Sequence, residues 1–227
     1  PFLPNGDWAT NKNILLNQNA LQMIKESDVW IKTYRALSSA YLEFHIIPGL
    51  DFKTNLGEDY QNLEEHVYYT SKHNSGYPSV DNPMGGRLDD ARVTRVSLLW
   101  DNTLNYTKSF DMGLNLGAVL GHSMQIYESS SANQTGLGFP SSSFDVNSVA
   151  ASFKGITSGK SAYALQSFFG RVNLNFKNRY VGTFTMRTDG SSKFAPEHRW
   201  GLFPSASIGW NVNEEQWWKA EDISFKV

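Results

Sequence analysis

Apolar and polar residues alternate along seven stretches of this chain, each about as long as a strand that crosses an outer membrane. In the stretch 34–46 the even positions are mainly apolar, with Tyr34, Leu42, Phe44 and Ile46, and the odd positions are mainly polar. Because successive side chains of a strand point to opposite faces, each stretch predicts a strand with one apolar and one polar face. A soluble sandwich buries such an apolar face against a second sheet, whereas a membrane barrel turns it toward lipid.

The predicted strands are joined by connections of alternating length. We expect strands over 31–47, from Leu50, over 93–106, from Met112, over 166–176, from Tyr180 and from Ala206. Short connections fall at 48–49, near 110 and at 177–179, and longer polar segments occupy 61–90, 128–161 and 189–199. Outer-membrane barrels have tight periplasmic turns and long extracellular loops. We therefore predict an all-β fold, an antiparallel transmembrane β-barrel segment.

The alternation assigns the side chains of the strands to two environments. Eight apolar residues are expected to face lipid: Phe44, Leu98, Trp100, Leu116, Phe168, Leu174, Ile208 and Trp210. Seven charged residues are expected to face the lumen or a plug: Arg35, Glu43, Lys53, Arg95, Asp101, Arg171 and Arg187. The simpler interpretation of the charged set is a solvated ladder, in which opposite charges on neighbouring strands pair with each other.

Aromatic residues in or beside the predicted extracellular segments are the candidates for contact with a substrate. They are Tyr68, Tyr69, Tyr77, Phe139 and Trp200. A flat ring stacks well on the face of a sugar or on a peptide side chain. The alternative for each of these rings is packing within its own loop.

The composition agrees with a barrel and excludes several other classes. The formal net charge is −2, from 20 basic and 22 acidic residues, which gives no electrostatic basis for binding nucleic acid. Aromatic residues make up 14% of the chain, which suits the aromatic girdles of a barrel. The mean hydropathy of −0.41 is polar, as expected where half of each strand and the loops face water. No apolar run reaches the length of about 18 residues that a spanning helix needs.

Residues that could support catalysis or bind a metal lack the spacing of known motifs. The chain has no cysteine, which removes disulfides, thiolate metal sites and cysteine nucleophiles. The five histidines show no metal-ligand spacing, and Glu64-Glu65-His66 lacks the second histidine of a zincin. Gly121-His122-Ser123 is not a nucleophile elbow. We therefore predict a protein that is not an enzyme, with no cofactor and no metal site.

The two ends of the sequence suggest a piece of a larger barrel. The chain begins at Pro1 without an initiator Met or a signal-peptide pattern, and residues 223–227 have the pattern of a further strand. Seven strands and the start of another do not close a barrel, because single-chain bacterial barrels have even strand numbers from about 8 upward. Open edges in lipid would leave backbone groups unpaired. We expect residues 1–227 to be part of a longer barrel.

Three blocks of the sequence resemble one known family. They are Ser167–Tyr180 (SFFGRVNLNFKNRY), Met186–Phe194 (MRTDGSSKF) and Arg199–Trp210 (RWGLFPSASIGW). Together with the hairpin around Pro48-Gly49, these blocks are similar to the barrel of SusC/RagA-type TonB-dependent outer-membrane transporters. The similarity covers most of the chain.

This resemblance implies a barrel of about 22 strands in the bacterial outer membrane, with an N-terminal plug domain that this chain does not contain. It implies active import of oligosaccharides or peptides, driven through TonB, with a SusD-like surface lipoprotein as partner. The contacts with TonB would be made by parts of the protein outside this segment. Two other interpretations stay open: a passive porin-like barrel, and a soluble β-sandwich that binds glycans.

Overall fold

Seven long strands dominate the structure, a computed structural model that describes residues 2–4, 6–9 and 20–218. A short helix, α1 (Ala20–Lys25), precedes them. The strands are β1 (Ser27–Ile47), β2 (Leu50–Tyr69), β3 (Arg87–Phe110), β4 (Leu114–Leu137), β5 (Ser152–Phe176), β6 (Tyr180–Ser191) and β7 (Trp200–Trp210). Single 3-10 turns lie at Asn74–Gly76, Asn147–Val149, Pro196–His198 and Val212–Glu214.

All seven strands belong to one sheet, in the order in which they occur along the chain. The last two pairs, β5 with β6 and β6 with β7, are antiparallel. The predicted all-β, antiparallel fold is thus confirmed. The further strand expected over 223–227 lies outside the described residues.

Several strands are longer than the alternation predicted, and the loops are correspondingly shorter. The connection between β2 and β3 occupies 70–86, instead of the predicted 61–90. The connection between β4 and β5 occupies 138–151, instead of 128–161. Both corrections have one physical cause: these strand ends carry polar residues on both faces, so the period-two signal disappears although the ladder continues.

Cross-strand hydrogen bonds between side chains accompany the polar ends of β2 and β3. The Thr94 hydroxyl donates to the Asn62 side-chain oxygen at 3.2 Å, and Arg95 Nη1 donates to Gln61 Oε1 at 3.1 Å. Such cross-strand pairs stabilise a sheet without an apolar face. These strand ends therefore lack the alternating apolar residues by which a strand is recognised in the sequence.

The tight turns fall where the sequence places them, because the residues there tolerate a left-handed backbone. Gly49 has φ of +84° in the β1–β2 turn. Lys177 and Asn178 have φ of +52° and +57° in the β5–β6 turn. Asparagine is one of the few residues that adopt this region readily. The Asn178 side-chain oxygen accepts from the Asn175 side-chain amide at 3.1 Å, and the Asn178 backbone N–H donates to the Asn175 side-chain oxygen at 3.0 Å.

The chain divides into two compact units. Unit 1 comprises Pro1–Ala36, Tyr60–Val96 and Glu128–Ser161, and unit 2 comprises Leu37–Asp59, Ser97–Tyr127 and Ala162–Val227. Among the described residues, no helix is long and apolar enough to cross a membrane.

Unit 1 contains a small buried core. Leu88 is fully buried, and Tyr68 and Phe139 are 3% and 5% exposed. The two rings meet edge to face, with centroids 5.3 Å apart, and Ala150 packs against the same cluster. This core joins β2, β3 and the connection between β4 and β5.

Unit 2 presents a sheet with two chemically different faces. Leu174 pairs with Gly182, and Gly182 pairs with Ile208, so all three share one face. Asn173 pairs with Thr183 on the opposite face. The register thus places the apolar residues of β5, β6 and β7 together, as the alternation predicted.

Candidate functional site

Aromatic side chains form a run of contacts across one face of unit 2. Trp100 lies edge to face with His122, with centroids 5.7 Å apart, and His122 contacts Phe168 at 4.9 Å. Phe168 in turn stacks on Trp200 at 6.1 Å. The absence of a side chain at Gly190 leaves room for the Trp200 ring, because a Cβ at Gly190 would lie 2.9 Å from that ring. This set of four rings is called the first aromatic group below.

His122 is a member of this group that the alternation alone did not single out. Its two ring nitrogens lie 3.4 Å from the Asn102 side-chain nitrogen and 3.1 Å from that of Gln166. A polar ring held between aromatic neighbours is typical of side chains at a boundary between apolar and polar surroundings.

A second aromatic group lies at the other end of β7. Glu215, in the turn after this strand, accepts hydrogen bonds from the Tyr180 hydroxyl at 2.7 Å and from the Trp210 ring N–H at 3.1 Å. Arg179 adds an ion pair at 3.2 Å. The hydrogen bonds from Tyr180 and Trp210 are the main cause that lowers the pKa of Glu215 below its ordinary value. Trp217 packs on Trp210, with centroids 6.3 Å apart.

Large apolar side chains on the same face of unit 2 keep much of their surface accessible. The predicted lipid-facing residues are exposed, except Leu116, which is half-buried: Phe44, Leu98, Trp100, Phe168, Leu174, Ile208 and Trp210. Ile208 is the extreme case, with 94% of its surface accessible. That lipid covers these side chains stays a prediction.

The predicted lumen-facing residues pair mainly with neighbours on their own face. In unit 2, Arg187 donates to Asp189 at 2.7 Å and to the Ser167 hydroxyl at 3.0 Å. Arg171 donates to the Thr185 hydroxyl at 3.2 Å, and Asp101 accepts from Ser123.

The remaining charged residues of that set have local partners of different kinds. Lys53 Nζ lies 4.2 Å from the centre of the Tyr41 ring. Within unit 1, Arg95 donates a hydrogen bond to Gln61. Glu43 lies close to His45 and Asp51. Arg35 also has an interaction partner. Local pairing agrees with the simpler interpretation, a ladder of mutually compensating polar groups.

Three of the five aromatic substrate candidates need correction. Tyr68 and Phe139 form the buried core of unit 1, so neither ring face is free to stack on a substrate. Trp200 pairs with Gly190 on the apolar face and belongs to the first aromatic group. The sequence alone does not show where these three rings pack, because the residues that they contact come from distant segments.

The other two candidates keep a free or partly free ring. Tyr69 ends β2 and stacks on His73, with centroids 4.3 Å apart, while Tyr77 is exposed in the connection that follows. Tyr69 also lines an open cleft of about 570 Å³ in unit 1, together with Arg87, Asp89 and Thr135.

The chemistry of this cleft is polar. Arg87 donates to both carboxylate oxygens of Asp89, at 2.7 and 3.0 Å, and the Thr135 hydroxyl donates to the same carboxylate at 2.6 Å. The wall also carries the side-chain amides Asn133 and Gln134. Amides, a bidentate ion pair and an aromatic ring are groups that bind hydroxyl or peptide groups of a ligand.

Curated relatives with similar sequences include several TonB-dependent receptors. The chain is 28% identical over 226 residues to the TonB-dependent receptor SusC of Bacteroides thetaiotaomicron, which covers 96% of this chain and 21% of the relative. It is 30% identical over 191 residues to TonB-dependent receptor P3 of Formosa agariphila, with coverage of 82% and 18%. The chain thus spans about a fifth of the length of these curated relatives. No protein-family model matches it.

Solved structures with a similar fold come from a peptide transport complex. The structure of the RagAB peptide transporter superposes with a TM-score of 0.82 at 23% identity, over 93% of this chain and 24% of that one. The RagAB peptide importer in its open-open state gives a TM-score of 0.78 at 25% identity, with coverage of 92% and 23%.

Proposed function

We propose, from the premise that this chain is a barrel segment of a SusC/RagA-type TonB-dependent receptor, that it forms part of the wall of an outer-membrane importer. The imported nutrients are oligosaccharides or peptides. The wall has three tasks in this proposal: an apolar exterior toward lipid, a polar interior toward the transport path, and polar groups that capture substrate.

The observation that carries this proposal is the exposed apolar face between two aromatic groups. Trp200 and Trp210 mark the two groups at the ends of β7, ten residues apart along the strand. At about 3.3 Å per residue this spacing is about 33 Å, and a strand tilt of about 40° reduces it to about 25 Å. That height equals the apolar band of an outer-membrane barrel, which aromatic girdles flank at both interfaces.

The polar cleft of unit 1 is the part of the segment that we assign to substrate capture. Its Arg87–Asp89 pair offers donors and acceptors in fixed positions, and Tyr69 offers a ring beside them. Hydroxyl groups of a sugar and amide groups of a peptide both match such a wall. Tyr77, exposed nearby in sequence, supplies a further ring for stacking.

We assign two partners to the proposed importer. A SusD-like surface lipoprotein would close over the substrate, as the similarity to SusC and to the RagAB complex supports. TonB would supply energy through parts of the receptor outside this segment. The segment itself has the role of binding and passage, and no catalysis is assigned to it.

Uptake by cells that carry the intact receptor tests this proposal. One fluorescent oligosaccharide pool and one fluorescent peptide pool are offered, each with and without a protonophore. We expect one pool to enter and the protonophore to abolish its entry, because TonB-driven import depends on the proton-motive force. Entry that the protonophore does not change would instead identify a passive porin-like barrel.

A pair of matched variants tests the cleft. Arg87→Gln and Arg92→Gln each remove one arginine–carboxylate pair of unit 1, but only Arg87 lines the cleft. We expect Arg87→Gln to weaken substrate binding at least about tenfold, since a hydrogen bond to a charged group contributes about 1.5–3 kcal/mol. Arg92→Gln should bind like the wild type. Equal binding by all three proteins would remove the cleft from the proposal.

A further inference from the structure

Three potential metal ligands meet in unit 1, although they lie far apart in the sequence. Asp28 comes from the start of β1, His66 from β2, and Asp145 from the connection between β4 and β5. One ligand atom of each residue lies within 4.8 Å of the others. Asp28 and Asp145 are exposed, whereas His66 is only 7% exposed.

The imidazole of His66 has one nitrogen engaged and one nitrogen without a partner. Its Nδ1 lies 2.8 Å from a carboxylate oxygen of Asp90, so Nδ1 carries the hydrogen and donates it. The lone pair of the neutral ring is therefore on Nε2. This atom is buried and has no hydrogen-bond partner among the described residues. The nearer carboxylate oxygen of Asp145 is 3.9 Å away, too far for a hydrogen bond.

The surroundings of His66 fix the direction in which this lone pair points. Asp90 is itself held by Asn147, whose Nδ2 donates to the second carboxylate oxygen at 2.7 Å. The Trp30 ring stacks on the imidazole in a nearly parallel arrangement, with centroids 4.9 Å apart. Metal-bound histidines typically donate their other N–H to a carboxylate in this way, which fixes the tautomer and raises the basicity of the ligand.

We propose that Asp28, His66 and Asp145 bind a divalent transition-metal ion, for which Zn²⁺ is the probe. One imidazole nitrogen and two carboxylate oxygens are a donor set that suits Zn²⁺, whereas Ca²⁺ and Mg²⁺ prefer oxygen ligands alone. Around a tetrahedral Zn²⁺, with bonds of about 2.1 Å, neighbouring ligand atoms lie about 3.4 Å apart. The two exposed carboxylates need to move inward by only about an ångström to reach that spacing.

The bound ion has a structural consequence within unit 1. It joins the first residues of β1 to β2 and to the connection 138–151, three segments that are distant in the chain. That connection also contributes Phe139 to the buried core of the unit. The ion would thus fasten the middle of a connection whose second residue, Phe139, is already packed.

A second histidine–carboxylate group serves as the internal comparison. Glu43, His45 and Asp51 in unit 2 are equally close to each other. His45, however, is exposed and its Nδ1 bonds directly to Asp51, and its other nitrogen is not among the buried atoms without a partner. Nothing in that group points to a ligand, so we assign no ion to it.

Equilibrium dialysis of the intact, detergent-purified receptor against Zn²⁺ tests the proposal. Bound zinc is counted per receptor for the wild type and for His66→Gln, Asp145→Asn and His45→Gln. We expect His66→Gln and Asp145→Asn each to lose one equivalent, or to bind it at least tenfold more weakly, and His45→Gln to match the wild type. Equal zinc content in all four proteins would overturn the site.

A fourth variant separates metal binding from a purely structural role of the histidine. Asp90→Asn removes no ligand but weakens the acceptor that orients His66, and loss of such a group typically lowers metal affinity by about 10–100-fold. Co²⁺ substitution gives an absorption band that reports coordination directly. We expect the band in wild type and its loss in Asp145→Asn, which replaces an exposed carboxylate by an amide of the same size. An identical band in Asp145→Asn would contradict the assignment.

Discussion

Among the described residues, the two units of this chain differ in whether they contain a buried apolar core. In unit 1, the rings of Tyr68 and Phe139 cover each other and enclose Leu88, so protein atoms surround the apolar surface. In unit 2, Leu174 and Ile208 lie on the apolar face of the sheet and are 44% and 94% exposed. The same alternation in sequence therefore has two outcomes: protein covers part of the apolar surface of unit 1, and the apolar face of unit 2 stays exposed in the chain.

The polar groups of the two units differ in the same direction. Unit 1 buries His66, His73 and Asn82, and each of them makes at least one hydrogen bond. In unit 2, the polar pairs such as Arg187 with Asp189 lie on an accessible face. His66, His73 and Asn82 are thus held by buried hydrogen bonds, whereas the Arg187–Asp189 pair is accessible. A buried polar group that loses its partner is expensive, and an exposed one is not.

The sharpest test of this contrast removes one apolar side chain from each unit. Leu88→Ala leaves a cavity in the core of unit 1 and should lower the free energy of local opening by about 2–5 kcal/mol. Ile208→Ala removes an exposed side chain and should change that of β7 by no more than about 0.5 kcal/mol. Hydrogen exchange of peptides from 60–96 and 200–210 in the intact receptor measures both. Similar losses in the two variants would show that unit 2 also has a protein-covered core.

Placing a charge on each face of β6 tests what covers unit 2. Phe184 pairs with Val172 and Ala206 on the apolar face. If lipid covers this face, as we propose, an arginine there costs about 2–4 kcal/mol near the midplane. Phe184→Arg should therefore reduce the fraction of receptor that assembles in the outer membrane. Heat-dependent mobility on a denaturing gel measures that fraction.

The control for this variant lies one position away. Thr183 pairs with Asn173 and Ser207 on the polar face, so Thr183→Arg adds the same charge where water and polar groups can solvate it. We expect its assembly to stay close to that of the wild type. If the two variants assemble equally well, lipid does not cover the apolar face, and the soluble β-sandwich becomes the better interpretation.

The faces of unit 2 could be predicted from the sequence because each strand carries its own evidence. Val172, Leu174 and Phe176 alternate with Arg171 and Asn173, and the register confirms that alternate positions share a face. The two faces of such a strand can be assigned from its own sequence, without knowing which strands lie beside it. Turn residues gave the same local signal, as at Asn178 with its positive φ.

The core and the polar clusters of unit 1 could not be predicted, because they depend on contacts between distant segments. In the sequence Phe139 is only an aromatic residue in a loop, whereas in the structure it follows β4 and its ring contacts Tyr68. His66 has no second histidine at a metal-ligand spacing, so no local motif marks it, and its carboxylate neighbours come from β1 and from the connection 138–151. Periodicity reports which face a residue occupies, but it does not report which segment covers that face.

A smaller effect, within unit 1 alone, concerns the connection between β2 and β3. His73 is buried there, and its Nδ1 accepts a hydrogen bond from the backbone N–H of Ser75 at 3.0 Å. Burial lowers the pKa of His73 below its ordinary value of 6.5, although Glu26 acts in the opposite direction. The unfolded connection therefore binds a proton more readily than the folded one. Stability from this group is complete above the ordinary pKa and falls as the pH drops below it.

Hydrogen exchange of peptides from 70–86 at pH 7.5 and 5.5, corrected for the intrinsic exchange rate, measures this change. We expect weaker protection at pH 5.5 in the wild type. His73→Asn is the matched control, because an asparagine oxygen can accept from Ser75 but does not titrate, so its protection should be the same at both pH values. An equal loss of protection in both proteins would trace the effect to another group. A loss confined to the wild type would show that the buried imidazole of His73 alone makes the stability of this part of unit 1 depend on pH.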